Sequence, residues 1–381
     1  MTDGPLRVSL DVSAVPARPG GAGYYTMAIA QGLDRRDDVA LSLVARRDDA
    51  QRWPALAGRA TVRSVVPASR PGRLVFEQLR LGSVLRSMGV QVHHGPHYTM
   101  PSRSPVPCVV TIHDCTFFDH PEWHVRSKAA FFRRAIRRAA RQAAVLICVS
   151  RVTEDRLRAW CDVRAPVVVA PHGVDHRRFT PLEPAEGADH ALLASLGVPV
   201  DRPLVAFVGT LEPRKGVVPL VAAFDQVARR HPDAVLVLGG QTGWGMAETE
   251  RALAAARHPE RIVRTGYLPD EAVPALLRRA AAVAYPALEE GFGLPALEAL
   301  ACGAPLVTTE GTAMAEMAGD AALLVPPGDV TGLADALATA LQEGRATARR
   351  VLGLSVAGER TWEASVALHR HAYALGLAAS Q

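Results

Sequence analysis

The strongest constraint on how this chain can fold is an alternation of short apolar runs with helical stretches, met twice in succession. In the first half, apolar runs fall at residues 6–12, 41–45, 61–66, 91–93, 106–112 and 145–149. Helical periodicity lies between them at 24–33, 74–87, 127–142 and 153–160. Runs this short, separated by helices, read as strands of a parallel sheet covered on both faces. The pattern restarts after a Pro- and acid-rich linker at 181–189. Strands are expected there at 204–208, 234–238, 261–265, 282–285 and 305–308. Helices are expected at 217–231, 248–257, 270–281 and 295–302, followed by a helical tail. The expected fold class is α/β, with two Rossmann-like doubly wound domains facing each other across a cleft. The expected boundaries are 1–171, 172–358 and a C-terminal helix at 359–381 that packs back on the first domain. Ligands of such sheets bind beyond the C-terminal ends of the strands.

The bulk properties agree with two domains. The chain has 381 residues, and a domain takes roughly 100–200. The N-terminus MTDGPLRVSLDVS lacks the apolar core of a signal peptide. No apolar run approaches the ~18 residues that span a bilayer. The five cysteines are odd in number and form no CxxC pair, so buried, reduced thiols in a cytoplasmic protein are expected. Charge is uneven. Residues 1–171 carry 25 Lys/Arg against 14 Asp/Glu, a net of +11, and residues 172–381 carry 18 against 24, a net of −6. The first half is therefore expected to meet something anionic: nucleic acid, an anionic membrane surface or an acidic substrate.

Three stretches carry chemistry. Gly20-Gly21-Ala22-Gly23 lies between the first strand and the first helix. Glycines there let backbone N–H groups approach a phosphate, and the helix N-terminus adds positive dipole. The spacing is not GxGxxG, which disfavours a dinucleotide site. The segment GTLEPRKG, residues 209–216, follows the first strand of the second half. Its Arg214 and Lys215 can neutralise a diphosphate, one as a fork and the other as a point charge. The third stretch, EEGFGLPALEA, is residues 289–299. Glycines permit a tight turn, and Pro295 suits a first helical turn. Glu298 then stands where its carboxylate can accept from two adjacent ribose hydroxyls, although an acid there also complements the helix dipole.

The string AYPALEEGFGLPALEALACGAPLV resembles the signature of glycosyltransferase family 4, a retaining family with the GT-B fold. PGGAGYYT, VVTIHDCTFFDHPEW, PHGVDHRRFTP, GYLPDEAVPALLRRA and GDAALLVPPGD resemble further family segments in the expected order. GTLEPRKG resembles the phosphate loop of a mannosyltransferase-like branch. The resemblance implies that Glu298 binds the ribose and that Glu290 lies near the reacting sugar. It implies that Gly291, Phe292, Gly293 and Leu294 hold sugar and phosphate through their backbone. Lys215 with Arg214 would hold the diphosphate after Gly209, and His113 would contact the donor sugar. Gly21 and Gly23 would approach the phosphate, and the backbone around Tyr267 and Leu268 would meet the base. Many relatives carry Arg directly after the strand glycine, where this chain has Thr210.

The resulting expectation is a retaining, metal-independent transfer of a hexose, mannose from GDP-mannose being favoured, to a glycan or lipid-linked acceptor. No cofactor, no metal and no nucleic-acid partner are expected. A UDP-sugar-dependent enzyme and a non-catalytic nucleotide-sugar-binding subunit are the alternatives. His93, His94 and His97 are expected in a loop or on the acceptor side, without a metal. The segment RSKAAFFRRAIRRAAR, residues 126–141, offers either an internal helix or a basic face for an anionic membrane.

Overall fold

The run CVVTI at Cys108–Ile112 shows how one strand serves two cores. Successive side chains of a strand point to opposite faces. Cys108, Val110 and Ile112 enter a core with Ile136, Ala139 and Leu157. Val109 enters another core with Tyr25, Ile29 and Tyr373. A strand buried on both faces reads as one apolar run, as parallel sheets require.

A computed structural model describes residues 4–379. The chain divides into two units. The first holds residues up to 173 together with the helix Trp362–Ala378, and the second is Val174–Thr361. The first unit contains β1 (Leu6–Asp11), β2 (Val39–Arg46), β3 (Thr61–Val66), β4 (Val92–Gly95), β5 (Cys108–Ile112), β6 (Val145–Cys148) and β7 (Val167–Val169). They form one sheet in the order β3-β2-β1-β4-β5-β6-β7, with every pair parallel. The second unit contains β8 (Leu204–Val208), β9 (Val235–Gly239), β10 (Ile262–Gly266), β11 (Ala282–Tyr285), β12 (Leu306–Thr309) and β13 (Ala322–Val325). Their order is β10-β9-β8-β11-β12-β13, again all parallel. Strand order reverses between β1 and β4 in the first sheet and between β8 and β11 in the second. Such switch points open a crevice at the C-terminal strand ends.

Several elements depart from the sequence pattern. The helix expected at 74–87 is two helices, Arg70–Leu79 and Leu81–Met88, the first capped by Ser69. Gly82 lies so close to the Arg103 carbonyl that a Cβ would collide with it. The helical tail is three helices, Val330–Glu343, Ala348–Glu359 and Trp362–Ala378. Strands β7 and β13, with 3 and 4 residues, were not among the expected strands. The linker region runs into a helix, Ala188–Ser195, whose Asp189 carboxylate takes both arms of Arg278 at 2.6 and 2.7 Å. The pair is buried, which makes this segment a fixed part of the second unit.

Candidate active site

At the switch point of the second sheet, two loops are locked together. Gly216 has φ +72, and a Cβ there would collide with the Pro286 carbonyl. The Leu288 amide donates to the Arg214 carbonyl at 2.9 Å. These contacts bring the loop after β8 against the loop after β11. Lys215 pairs with Glu290 Oε1, and Arg214 Nη1 reaches the same oxygen at 3.3 Å. Arg214 Nε also meets Glu212 Oε1 at 2.6 Å, and Glu212 is buried. Two cations and two carboxylates thus form one cluster, and Glu212 is the member that sequence reasoning missed. Its only signal was position, two residues before Arg214.

The turn after Glu290 leads into the helix Leu294–Ala301. Gly293 stands before it at φ +87, against Met314, where a Cβ would collide. Phe292 is buried. Among the described residues, no hydrogen-bond partner holds the Glu298 carboxyl. Burial pushes it up to about 8, with Arg178 pulling in the opposite direction. Gly209 directly follows β8, its amide donating to the Gly239 carbonyl at 2.9 Å. Tyr267 and Leu268 follow β10: Tyr267 is exposed, and Leu268 is buried against Gly239.

In the first unit, the helix Gly21–Asp34 starts directly behind Gly20. A Cβ at Gly21 would meet nothing within 4 Å, whereas one at Gly23 would approach the Pro19 side chain to 2.9 Å. The fold therefore accounts for glycine at 23 and not at 21. His113 follows β5, with Nε2 lying 2.7 Å from the Pro96 carbonyl. A carbonyl only accepts, so Nε2 carries the proton. Burial lowers the pKa of His113, so the ring is neutral and Nδ1 is an acceptor. Tyr25 packs edge-on against it at 4.9 Å. Asp114 accepts from the Thr116 amide at 3.1 Å and its hydroxyl at 2.8 Å, so it caps a turn.

His93 and His94 do not lie in a loop; they are buried in β4. His93 Nδ1 bonds Ser9 Oγ at 2.8 Å. His94 belongs to a relay that ends on the C-terminal helix. Its Nδ1 meets Tyr373 Oη at 2.9 Å, and its Nε2 meets Thr111 Oγ1 at 2.7 Å. Thr111 Oγ1 meets Tyr25 Oη, and Tyr25 Oη meets His369 Nε2, each at 2.7 Å. His369 Nδ1 lies 2.7 Å from the Ser365 carbonyl. That carbonyl fixes the direction of every proton. Nδ1 of His369 donates, so its Nε2 accepts from Tyr25; Tyr25 accepts from Thr111, Thr111 from His94 Nε2, and His94 Nδ1 from Tyr373. Burial keeps both histidines neutral, pushing His369 down to about 4 and His94 well below its ordinary value. The relay ties the helix behind the glycine loop to the strand that carries His113.

Residues 19–178 match the family described as Glycosyltransferase Family 4, and residues 190–352 match Glycosyl transferases group 1. The chain is a glycosyltransferase of the family-4 type. It is 29% identical to the O-antigen chain mannosyltransferase B of Escherichia coli over 299 residues, 76% of either chain. It is 34% identical over 240 residues to a GDP-mannose-dependent alpha-(1-6)-phosphatidylinositol monomannoside mannosyltransferase of Mycolicibacterium smegmatis, covering 60% of each. The Anabaena protein HepE, solved with UDP-glucose, superposes with a TM-score of 0.73 at 18% identity, over 96% of this chain and 99% of that one. The fold is of the GT-B class, with two Rossmann-like parallel-sheet units.

Proposed function

We propose that this glycosyltransferase moves mannose from GDP-mannose to a glycan or lipid-linked acceptor, with retention at the anomeric carbon and without a metal ion. The observation that carries the proposal is the cluster of Arg214 and Lys215 on Glu290, beside a turn that ends in a helix N-terminus and a free Glu298 carboxyl. Two cations and a helix start are suited to a diphosphate, and the free carboxyl is suited to a ribose diol. The mannosyltransferase names of two relatives favour mannose.

In this reading, the bond from the anomeric carbon to the diphosphate oxygen breaks as the bond to the acceptor oxygen forms on the same face. The acceptor proton passes to the departing phosphate. Arg214 and Lys215 stabilise the charge that develops on that phosphate, the work a metal does elsewhere. Glu290 lies near the reacting sugar, and Gly291, Phe292, Gly293 and Leu294 hold it through their backbone. His113 accepts a sugar hydroxyl at Nδ1. Gly21 lets the backbone approach the phosphate, and Tyr267 and Leu268 meet the base.

Calorimetric titration with GDP, UDP, GDP-mannose and UDP-glucose in excess EDTA tests the donor. GDP-mannose should bind most tightly and be turned over with the chelator present. Preferential binding of UDP-glucose, the ligand of the HepE crystal, would favour the UDP-sugar alternative. Activity that vanishes with EDTA and returns with Mg²⁺ would contradict metal independence.

A further inference from the structure

The switch point of the first sheet holds a recess that none of the roles above uses. It opens between the segment after β1 and the loop after β4, and the helix Arg70–Leu79 forms its third side. The cavity measures about 50 Å³, and its polar lining includes Asp11, Arg73, Glu77, His97 and Thr99. Glu77 is only 6% exposed. The Asp11 carboxylate accepts from the Ser13 amide at 2.8 Å, and Arg73 Nη1 donates to the Ser13 carbonyl at 3.1 Å. One short loop therefore fixes both charged heads.

A buried Glu77 and a half-buried Asp11 lining one recess oppose folding, because each loses water and repels the other. The cost is visible: burial, then the charge of Asp11, pushes the Glu77 carboxyl up to about 7, and burial also raises Asp11. Arg73 and Arg138 pull the Glu77 carboxyl in the opposite direction without cancelling that rise. Groups held this way in a crevice are candidates for a functional site.

We propose that this recess is an acceptor subsite for a hydroxyl-bearing edge of a neutral polyol, with Asp11 and Glu77 accepting from adjacent hydroxyls and Arg73 donating to one of them. The polyol's role as acceptor rests on the glycosyltransferase function proposed above. Size limits the ligand. On the scale where one water needs roughly 10–15 Å³, a cavity of about 50 Å³ takes a few hydroxyl-bearing atoms of a ligand. Two acids among the polar groups lining the recess favour the hydroxyls of a neutral polyol over a phosphate. The ring of His97 lies 5.4 Å from that of His113. The bound edge is thus held one side chain away from the histidine assigned to the donor sugar.

Saturation-transfer NMR on the full chain with methyl α-D-mannopyranoside and myo-inositol tests the subsite, alongside GDP and UDP titrations. At least one polyol should bind the wild type. Glu77→Gln and Asp11→Asn should each weaken it about tenfold or more, since each removes a charged acceptor. Ala14→Leu, which fills the recess without touching its charges, should abolish the signal. Nucleotide affinity should stay within about twofold in all three, and inorganic phosphate should not displace the polyol. The proposal is overturned if neither polyol binds the wild type, if folded variants keep wild-type polyol affinity, or if phosphate displaces the polyol. A wild type that binds neither nucleotide would refute the donor assignment instead and leave the polyol result to stand alone.

Discussion

Burial pushes the Glu298 carboxyl up to about 8, against the pull of Arg178. A carboxylate that accepts from two hydroxyls is favoured in its charged form. Nucleotide binding is therefore expected to release a proton and to strengthen between about pH 6.5 and 8.5. Glu298→Gln should weaken binding by about ten- to a hundredfold, roughly 1.5–3 kcal/mol, and flatten that pH dependence. Calorimetry in two buffers of different ionisation enthalpy reads both effects, and unchanged affinity in a folded variant would contradict the ribose assignment. The same shift has a stability sign. A carboxyl raised from 4.5 to about 8 stabilises the fold below 4.5, and that contribution is lost as pH rises through 8. The melting advantage of Glu298→Gln should therefore grow from about pH 5 to about pH 9. Lys215→Ala should lower kcat by about 10²–10³-fold, and Arg214→Ala by less, because Glu212 already holds part of its charge. Steady-state kinetics decide this, and a double variant that keeps its activity would put the phosphate clamp elsewhere. At this scale the two glutamates and the Arg-Lys pair were legible, because glycines, a proline and a helix start frame them locally. Glu212 was not, because spacing does not say which carboxylate a cation chooses.

The first helix, β4, β5 and the C-terminal helix meet in the His94–Thr111–Tyr25–His369 relay. Every member has one allowed proton position, so the network holds these elements in one register. Tyr25→Phe leaves His369 Nε2 without its proton donor and Thr111 without an acceptor, at an expected cost of about 1–3 kcal/mol in denaturant unfolding. His369→Phe should cost a similar amount. The double variant should cost less than the sum, because each change removes the other's partner. Strict additivity would show that the relay does not act as a unit. The sequence could not announce it: Tyr25 and His369 lie 344 positions apart, and spacing does not say which distant residue a tyrosine hydroxyl meets.

Charge is the property of the whole molecule that most invites a partner. The first 171 residues are net +11, and the helix Arg126–Gln142 carries much of that excess. Its arginines are not equivalent. Arg133 Nε donates to the Phe117 carbonyl at 2.6 Å. Arg138 is held by Gln142, Gln78 and the Pro101 carbonyl at 2.9–3.2 Å. Arg134, Arg137 and Arg141 remain exposed. No described helix is long and apolar enough to cross a membrane, so attachment through this helix would be peripheral and electrostatic. Replacing the three exposed arginines by Gln should abolish salt-sensitive sedimentation with anionic vesicles, each being worth about 1 kcal/mol near such a surface. Donor binding should persist. Wild-type protein that does not sediment at low salt would remove the membrane as a partner.

Local pattern determined the class of this protein. Periods of two and of 3.6 residues are set by backbone geometry, so they mark strands and helices wherever they occur, and the long glycine- and glutamate-bearing motif carries its turn and helix start within a dozen residues. Of the strands, β7 and β13 escaped, and both pair at the edges of their sheets. Tertiary structure alone decided which polar groups are captive and which are free. It buried His93 and His94, it took Arg133 and Arg138 out of the basic face, and it set β1 beside β4. That last pairing joins Ser9 to His93 across 84 positions and creates the recess between Asp11 and His97. The physical reason is that sequence spacing fixes which face of an element is apolar, while the partner of a charge is fixed by whichever distant element packs against that face.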